Sequence, residues 1–151
     1  MPIIRSSDRN RGDDGTSPGL ESFSIVDAAR GSDHLRVGEV TVAPSSRVPR
    51  HTHTNTEEAM VLLEGELQAL VGSQRVNIEP GDVVLAPAGT VHGFVNLSDA
   101  PARLLYVFPI HEPDRVFTTP PNAPPSGFPS EQGLSGFRSP HDRPLERETE
   151  S

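Results

Sequence analysis

Eight short apolar segments separated by turn signals constrain the fold of this chain more than any other feature. They fall at 35–42, 48–53, 58–63, 66–71, 74–78, 82–86, 92–96 and 102–108. Segments of this length suit strands, and no window carries a helical apolar period beyond about ten residues. Gly72-Ser73 suits a two-residue hairpin loop, Glu64-Gly65 can serve another, and Glu79-Pro80-Gly81-Asp82 reads as a turn. One further short strand is expected at 23–26. Together these signals predict an all-β fold, an antiparallel barrel or sandwich of the jelly-roll kind.

The flanks read differently. Residues 5–19 are polar and rich in Gly and Asp, so 1–22 is expected to be a flexible arm with little core of its own. After Phe117 the chain turns rich in Pro, Ser, Gly, Arg and Glu, with too little apolar surface to offset the entropy of ordering it. The expected organisation is an arm over 1–22, a barrel over 23–117 and a disordered tail over 118–151. In that tail Phe128 and Phe137 are the groups able to dock on a neighbour or over the barrel mouth, and His141 is expected to be solvated.

Two patterns inside the barrel carry chemistry. His51 and His53 are two residues apart, so on a strand both imidazoles share a face, with Cα atoms about 7 Å apart. Thr54-Asn55-Thr56-Glu57 favours a turn, after which Glu58, Met60 and Leu62 share one face of the next strand and Glu57, Ala59, Val61 and Leu63 the other. Glu58 is therefore a third candidate ligand, with Glu57 its rival if the turn shifts register by one residue. His92 follows the rigid turn Pro87-Ala88-Gly89-Thr90 and can supply a fourth. A carboxylate buried beside three imidazoles is costly without a cation, and a divalent ion removes the cost.

These residues resemble the two motifs of the cupin superfamily, Gly-x5-His-x-His-x(3 or 4)-Glu-x6-Gly and Gly-x5-Pro-x-Gly-x2-His-x3-Asn. The second is matched at Gly81, Pro87, Gly89, His92 and Asn96; the first at His51, His53, Glu58 and Gly65, with Ser45 where the leading Gly belongs. The resemblance extends over about 34–110. It implies a single-domain cupin barrel with His51, His53, Glu58 and His92 holding one divalent transition metal (Fe, Mn, Ni, Co, Cu or Zn). It also implies a homodimer paired through sheet edges.

Composition narrows the field further. Cysteine is absent, so neither a disulfide framework nor a thiolate ligand is available and a metal must be held by nitrogen and oxygen. The formal charge of −8 repels a phosphate backbone, which argues against nucleic acid or an anionic membrane as partner. The opening residues lack an apolar signal core and no apolar run reaches membrane-spanning length, so a cytoplasmic location is expected. His34 and His111 are read as strand-edge residues, Arg47 and Arg50 as solvated strand ends that can otherwise greet an anion, and Glu57, Glu64 and Glu66 as a solvated face.

Three imidazoles and one carboxylate leave coordination positions open, and about one net positive charge on the first shell with a dication. That favours a small organic substrate chelating through oxygen, whether enolic, phenolic or carboxylate. Met60, Leu62, Phe94, Tyr106 and Phe108 are the expected pocket wall. The resemblance implies a dioxygenase like quercetinase-type cupins first, and next a redox-neutral cyclase, isomerase or lyase in which Glu58 or a bound water moves a proton. A metal-binding or sensory module without turnover is the third reading.

Overall fold

Eleven strands run through the described residues, which in this computed structural model are 3–12 and 17–118: β1 (Asn10–Gly12), β2 (Leu20–Val26), β3 (Arg36–Val42), β4 (Arg47–Thr52), β5 (Glu58–Glu64), β6 (Leu67–Val71), β7 (Gln74–Ile78), β8 (Val83–Ala86), β9 (His92–Val95), β10 (Ala102–Phe108) and β11 (Val116–Phe117). Short 3-10 turns occupy Ser6–Asp8 and Ala28–Arg30. β3 to β10 reproduce the eight expected segments to within a residue at either end. The strands make two antiparallel sheets, ordered β1-β2-β3-β10-β5-β8 and β11-β4-β9-β6-β7, which form a jelly-roll barrel.

Alternation sets what faces inward. In the six-stranded sheet Leu20, Ser22 and Ser24 pair with Val42, Val40 and Gly38, which pair in turn with Ala102, Leu104 and Tyr106. The last two oppose Leu62 and Met60 on β5. This single inner face grades from apolar at one end to polar at the other. Val42, Leu62, Ala102 and Leu104 meet Leu67, Ala69, Ile78 and Phe94 of the facing sheet in one core, where burying a side chain such as Phe94 contributes about 1.5–3 kcal/mol. The polar end is where the cavity opens.

Three backbone details hold this frame. Asn96, fully buried, donates through Nδ2 to the carbonyls of Val42 (2.9 Å) and Ala100 (2.8 Å) and accepts at Oδ1 from the Ser98 backbone (3.0 Å) and hydroxyl (2.7 Å). The last residue of the second motif thus sews the β9–β10 loop to β3. Gly38 lies beneath the Tyr106 ring; a Cβ there would stand 2.0 Å from the hydroxyl oxygen, so glycine is needed for the ring to lie over β3. Ser45 has φ 58, the one positive value among described non-glycine residues. The first motif's leading glycine is replaced while its left-handed backbone is kept, and the backbone path survives at some conformational cost.

The flanks depart from expectation in detail. β2 starts at Leu20 instead of residue 23, and Asn10–Gly12 pairs with it through Asn10↔Ser24 and Gly12↔Ser22. Arg9 also reaches the barrel, donating to the Glu39 carboxylate at 3.0 Å beside Arg103. Residues 111–118 close back onto β4 through β11, with Val116↔Thr52 and Phe117↔His51. Phe128, Phe137 and His141 lie outside the described residues, as does the expected tail beyond Thr118.

Arg47 and Arg50 correct the expectation of solvated strand ends: only 7% and 9% of each is exposed. β4 is an interior strand between β11 and β9, and Gly93 on β9 leaves room for the Arg50 stem, whose Cγ would come 3.4 Å from a Cβ there. Burial pulls both guanidinium pKa values down. Glu57, Glu64 and Glu66 are exposed as expected, and so is His34.

Candidate metal centre

His51 and His92 face each other across the β4–β9 pair, in register His51↔His92, with ring centroids 4.4 Å apart. Strand geometry then brings His53, two residues on, to the same side. Glu58 comes from the opposite sheet as the first residue of β5. The Gly89 N–H donates to the His53 carbonyl at 2.8 Å and ties the two motifs together. The potential ligand atoms of His51, His53, Glu58 and His92 all lie within 4.8 Å of one another, and all four residues are buried. Glu57 is exposed, so register selects Glu58.

Hydrogen bonds decide which nitrogen faces the centre. Nδ1 of His51 donates to the Pro49 carbonyl (2.7 Å), Nδ1 of His92 to the Thr90 carbonyl (2.9 Å), and Nδ1 of His53 to the Asp114 carbonyl. A carbonyl only accepts, so each proton sits on Nδ1 and each Nε2 is left with a lone pair. Nε2 of His92 and of His53 lie 2.8 Å and 3.1 Å from Glu58 Oε2. With neutral rings that is acceptor against acceptor, a contact that needs a cation between.

Protonating both rings would supply charge at the cost of burying two imidazolium ions, several kcal/mol each. A metal ion fits better. Donors about 2.1 Å from an ion and at right angles stand about 3.0 Å apart, which matches the observed separations. The electrostatics agree. Burial, reinforced by the charge of Arg115, pulls His51 down to about 3, so it is neutral at ordinary pH. Without an ion, burial pushes Glu58 up and only a proton on Nε2 of His53 or His92, donated to the carboxylate, outweighs it and holds the group at about 2; a cation takes the place of that proton. Neutral imidazole and ionised carboxylate are the metal-binding forms.

A cavity of about 90 Å³ opens beside the centre, bordered by His51 and Glu58. Of the expected pocket residues, Met60, Phe94 and Tyr106 line it. Leu62 is in the core, and Phe108 packs edge-on against the His53 ring at 4.9 Å; neither borders the cavity. Much of the remaining wall comes from segments that the motifs do not include, among them Ser22 and Ser24 of β2, Arg36 of β3, and Arg115 and Phe117 from the closing segment. Parity along β2 and the apolar pair Val116-Phe117 were the available signals, but neither says where the segment lands.

Residues 111–118 act as a strap over this end. Asp114 accepts from the Thr54 backbone N–H at 2.6 Å, the Asn55 N–H at 3.3 Å and the Thr54 hydroxyl, while the Asn55 amide donates to the Glu112 carbonyl at 3.1 Å. Thr118 donates to the Arg50 carbonyl through both its N–H and its hydroxyl. The strap thus grips the turn that carries His53.

Residues 38–108 match the family described as the cupin domain. Germin-like protein subfamily 1 member 17 of Arabidopsis thaliana is 36% identical over 87 residues, covering 51% of this chain and 39% of that protein. Tetracenomycin polyketide synthase protein TcmJ of Streptomyces glaucescens is 27% identical over 92 residues, covering 61% of this chain and 59% of that protein. The chain spans about two-fifths of the length of the germin-like relatives. Among solved structures, the polyketide cyclase RemF from Streptomyces resistomycificus superposes with a TM-score of 0.70 over 80% of this chain and 87% of its own, at 22% identity, a likeness of fold alone. A cupin-superfamily sugar phosphate isomerase from Silicibacter pomeroyi gives 0.63 over 72% and 75%, at 27% identity. With the jelly-roll barrel, both motifs in place and the three-histidine, one-glutamate cluster at their meeting point, residues 38–108 form a cupin domain.

Proposed function

We propose that the protein is a metal-dependent enzyme that binds a small organic molecule through oxygen and moves a proton on it without net oxidation. The observation that carries this reading is the set of three Nδ1–carbonyl hydrogen bonds, which turn lone pairs of His51, His53 and His92 toward the Glu58 carboxylate beside a cavity. His51, His53, Glu58 and His92 would hold the ion. A divalent metal bound there supplies Lewis acidity toward a carbonyl or enolate oxygen. Among the described residues Glu58 is the one carboxylate lining the cavity, and once released from the ion it would be the group placed to take a proton from the substrate. The Tyr106 ring, held over Gly38, and Met60 and Phe94 would hold an apolar body and exclude water.

The redox-neutral reading is supported by relatives: TcmJ is named as a polyketide synthase protein and the Silicibacter pomeroyi structure as an isomerase. A dioxygenase is the second reading, favoured by a buried centre of three imidazoles and one carboxylate that leaves positions open beside an apolar wall. Exposed Val76, Val83 and Leu85 on the edge strands β7 and β8 support a homodimer. Metal analysis followed by turnover of a panel of enolic and phenolic compounds, with and without oxygen, tests both. Anaerobic turnover supports the first; obligatory oxygen uptake overturns it for the second. Metal retained with no reaction on any compound overturns both and leaves a binding module.

A further inference from the structure

Resting on the metal-dependent reading above, we propose that Arg36 and Arg115 form an anion subsite at the cavity mouth. It selects small organic acids, with the carboxylate on the two guanidinium groups, an apolar ring against Phe117, Phe94 and Met60, and a second oxygen turned to the metal centre.

The charge pattern runs against the rest of the protein. The chain carries a formal −8, yet among the described residues the formally charged ones bordering the cavity are Arg36, Arg115 and Glu58, and Glu58 faces His53 and His92. A dication offset by Glu58 leaves about one positive charge, and the arginines bring the pocket to about three. A cleft of one sign with low-dielectric walls concentrates ligands of the opposite sign. The long-range field of the acidic surface works against any anion that lacks such a local site.

Both arginines are placed from different parts of the chain. Arg36 is half-buried on β3, opposite Phe108 and one inward position from Gly38 and Tyr106; its Nη1 donates to the His111 carbonyl at 3.1 Å, which fixes the guanidinium against the strap. Arg115 is exposed at the mouth between two anchored neighbours: Asp114, bonded to Thr54 and Asn55, and Phe117, paired with His51. Its guanidinium carbon stands 5.7 Å from the Phe117 ring centroid. A planar, pre-oriented guanidinium beside an aromatic face suits an aryl or enoic carboxylate, which is planar and accepts two parallel hydrogen bonds.

The test uses the full-length chain and two probes of the same shape, 3-hydroxybenzoate and its neutral amide, 3-hydroxybenzamide, titrated calorimetrically into zinc-loaded and metal-free protein. Loaded wild type should bind the acid about tenfold more tightly than the amide. Arg36→Gln and Arg115→Gln should each reduce that preference, and the double variant should bring it to within about twofold, with zinc content and amide affinity unchanged. Arg115→Lys, which keeps the charge but not the fork, should retain part of the preference and serves as the folding control. Equal affinity for acid and amide in the wild type, no binding of either, or a full preference surviving in the zinc-loaded double variant overturns the subsite, the last because the metal alone would then attract the anion. If zinc does not bind at all, the metal reading fails separately. A preference for the acid in metal-free wild type that disappears in the double variant would still support the subsite.

Discussion

Three backbone carbonyls, of Pro49, Thr90 and Asp114, decide the chemistry of the histidines, because by accepting from Nδ1–H they leave each Nε2 a lone pair able to bind a metal. Removing one ligand should therefore cost metal and stability together. At free metal 100-fold above Kd, binding stabilises the folded state by about 2.7 kcal/mol. His51→Ala or His53→Ala should lose most of this increment, seen as a melting temperature that no longer rises when metal is added; full metal occupancy in either variant would reject the ligand assignment. The pKa shifts set a pH dependence for the metal-free protein. His51 falls from 6.5 to about 3, so between those values the unfolded chain binds a proton that the folded chain refuses, and stability rises with pH. Glu58, held at about 2 against 4.5, contributes stability that is present above 4.5 and lost as pH falls toward 2. The melting temperature of metal-free protein should drop steadily from pH 7 to pH 4, less so in His51→Gln; a flat profile would contradict the burial of a neutral His51.

At the scale of elements, the strap over residues 111–118 couples the cavity mouth to the centre. Asp114 holds the Thr54-Asn55 turn by its side chain and His53 by its carbonyl, so Asp114→Ala should loosen a ligand it never touches through its own carboxylate. Losses of outer-shell partners typically weaken metal binding tenfold or more. We expect about tenfold weaker zinc affinity in Asp114→Ala, measured by competition with a chromophoric chelator, with the barrel still folded by circular dichroism; unchanged affinity would show that β11 pairing alone positions the turn. The strap also marks the edge of what local pattern reveals. β3 to β10 were legible because each carries its own apolar alternation and turn residues. β1, the early start of β2 and β11 were not, since two or three polar-flanked residues become strands only when a neighbour offers its edge. Arg47 and Arg50 misled for the same reason: a charged strand end reads as solvated until another strand covers it.

For the whole molecule, the two sheets have β1, β8, β11 and β7 at their edges among the described residues, and β7 and β8 carry Val76, Val83 and Leu85 about half exposed or more. Unpaired edges bearing apolar side chains invite pairing with a second copy. Light scattering should give a dimer for the wild type and a monomer for Val83→Lys combined with Leu85→Lys, the metal content staying the same; a monomeric wild type would remove the dimer from this account. No helix among the described residues is long and apolar enough to cross a membrane.

By itself the sequence determined the strand periods, the turns and the four side chains that cluster, since these depend on residue type at short, fixed spacing along a strand or through one turn. Where three of those side chains point their protons, how Gly38 makes room for Tyr106, and which distant segments wall the cavity with Arg36, Arg115 and Phe117 were decided only by the tertiary structure. Those contacts join residues far apart along the chain, and their partners are chosen by which strand edges and faces remain open once the barrel has closed.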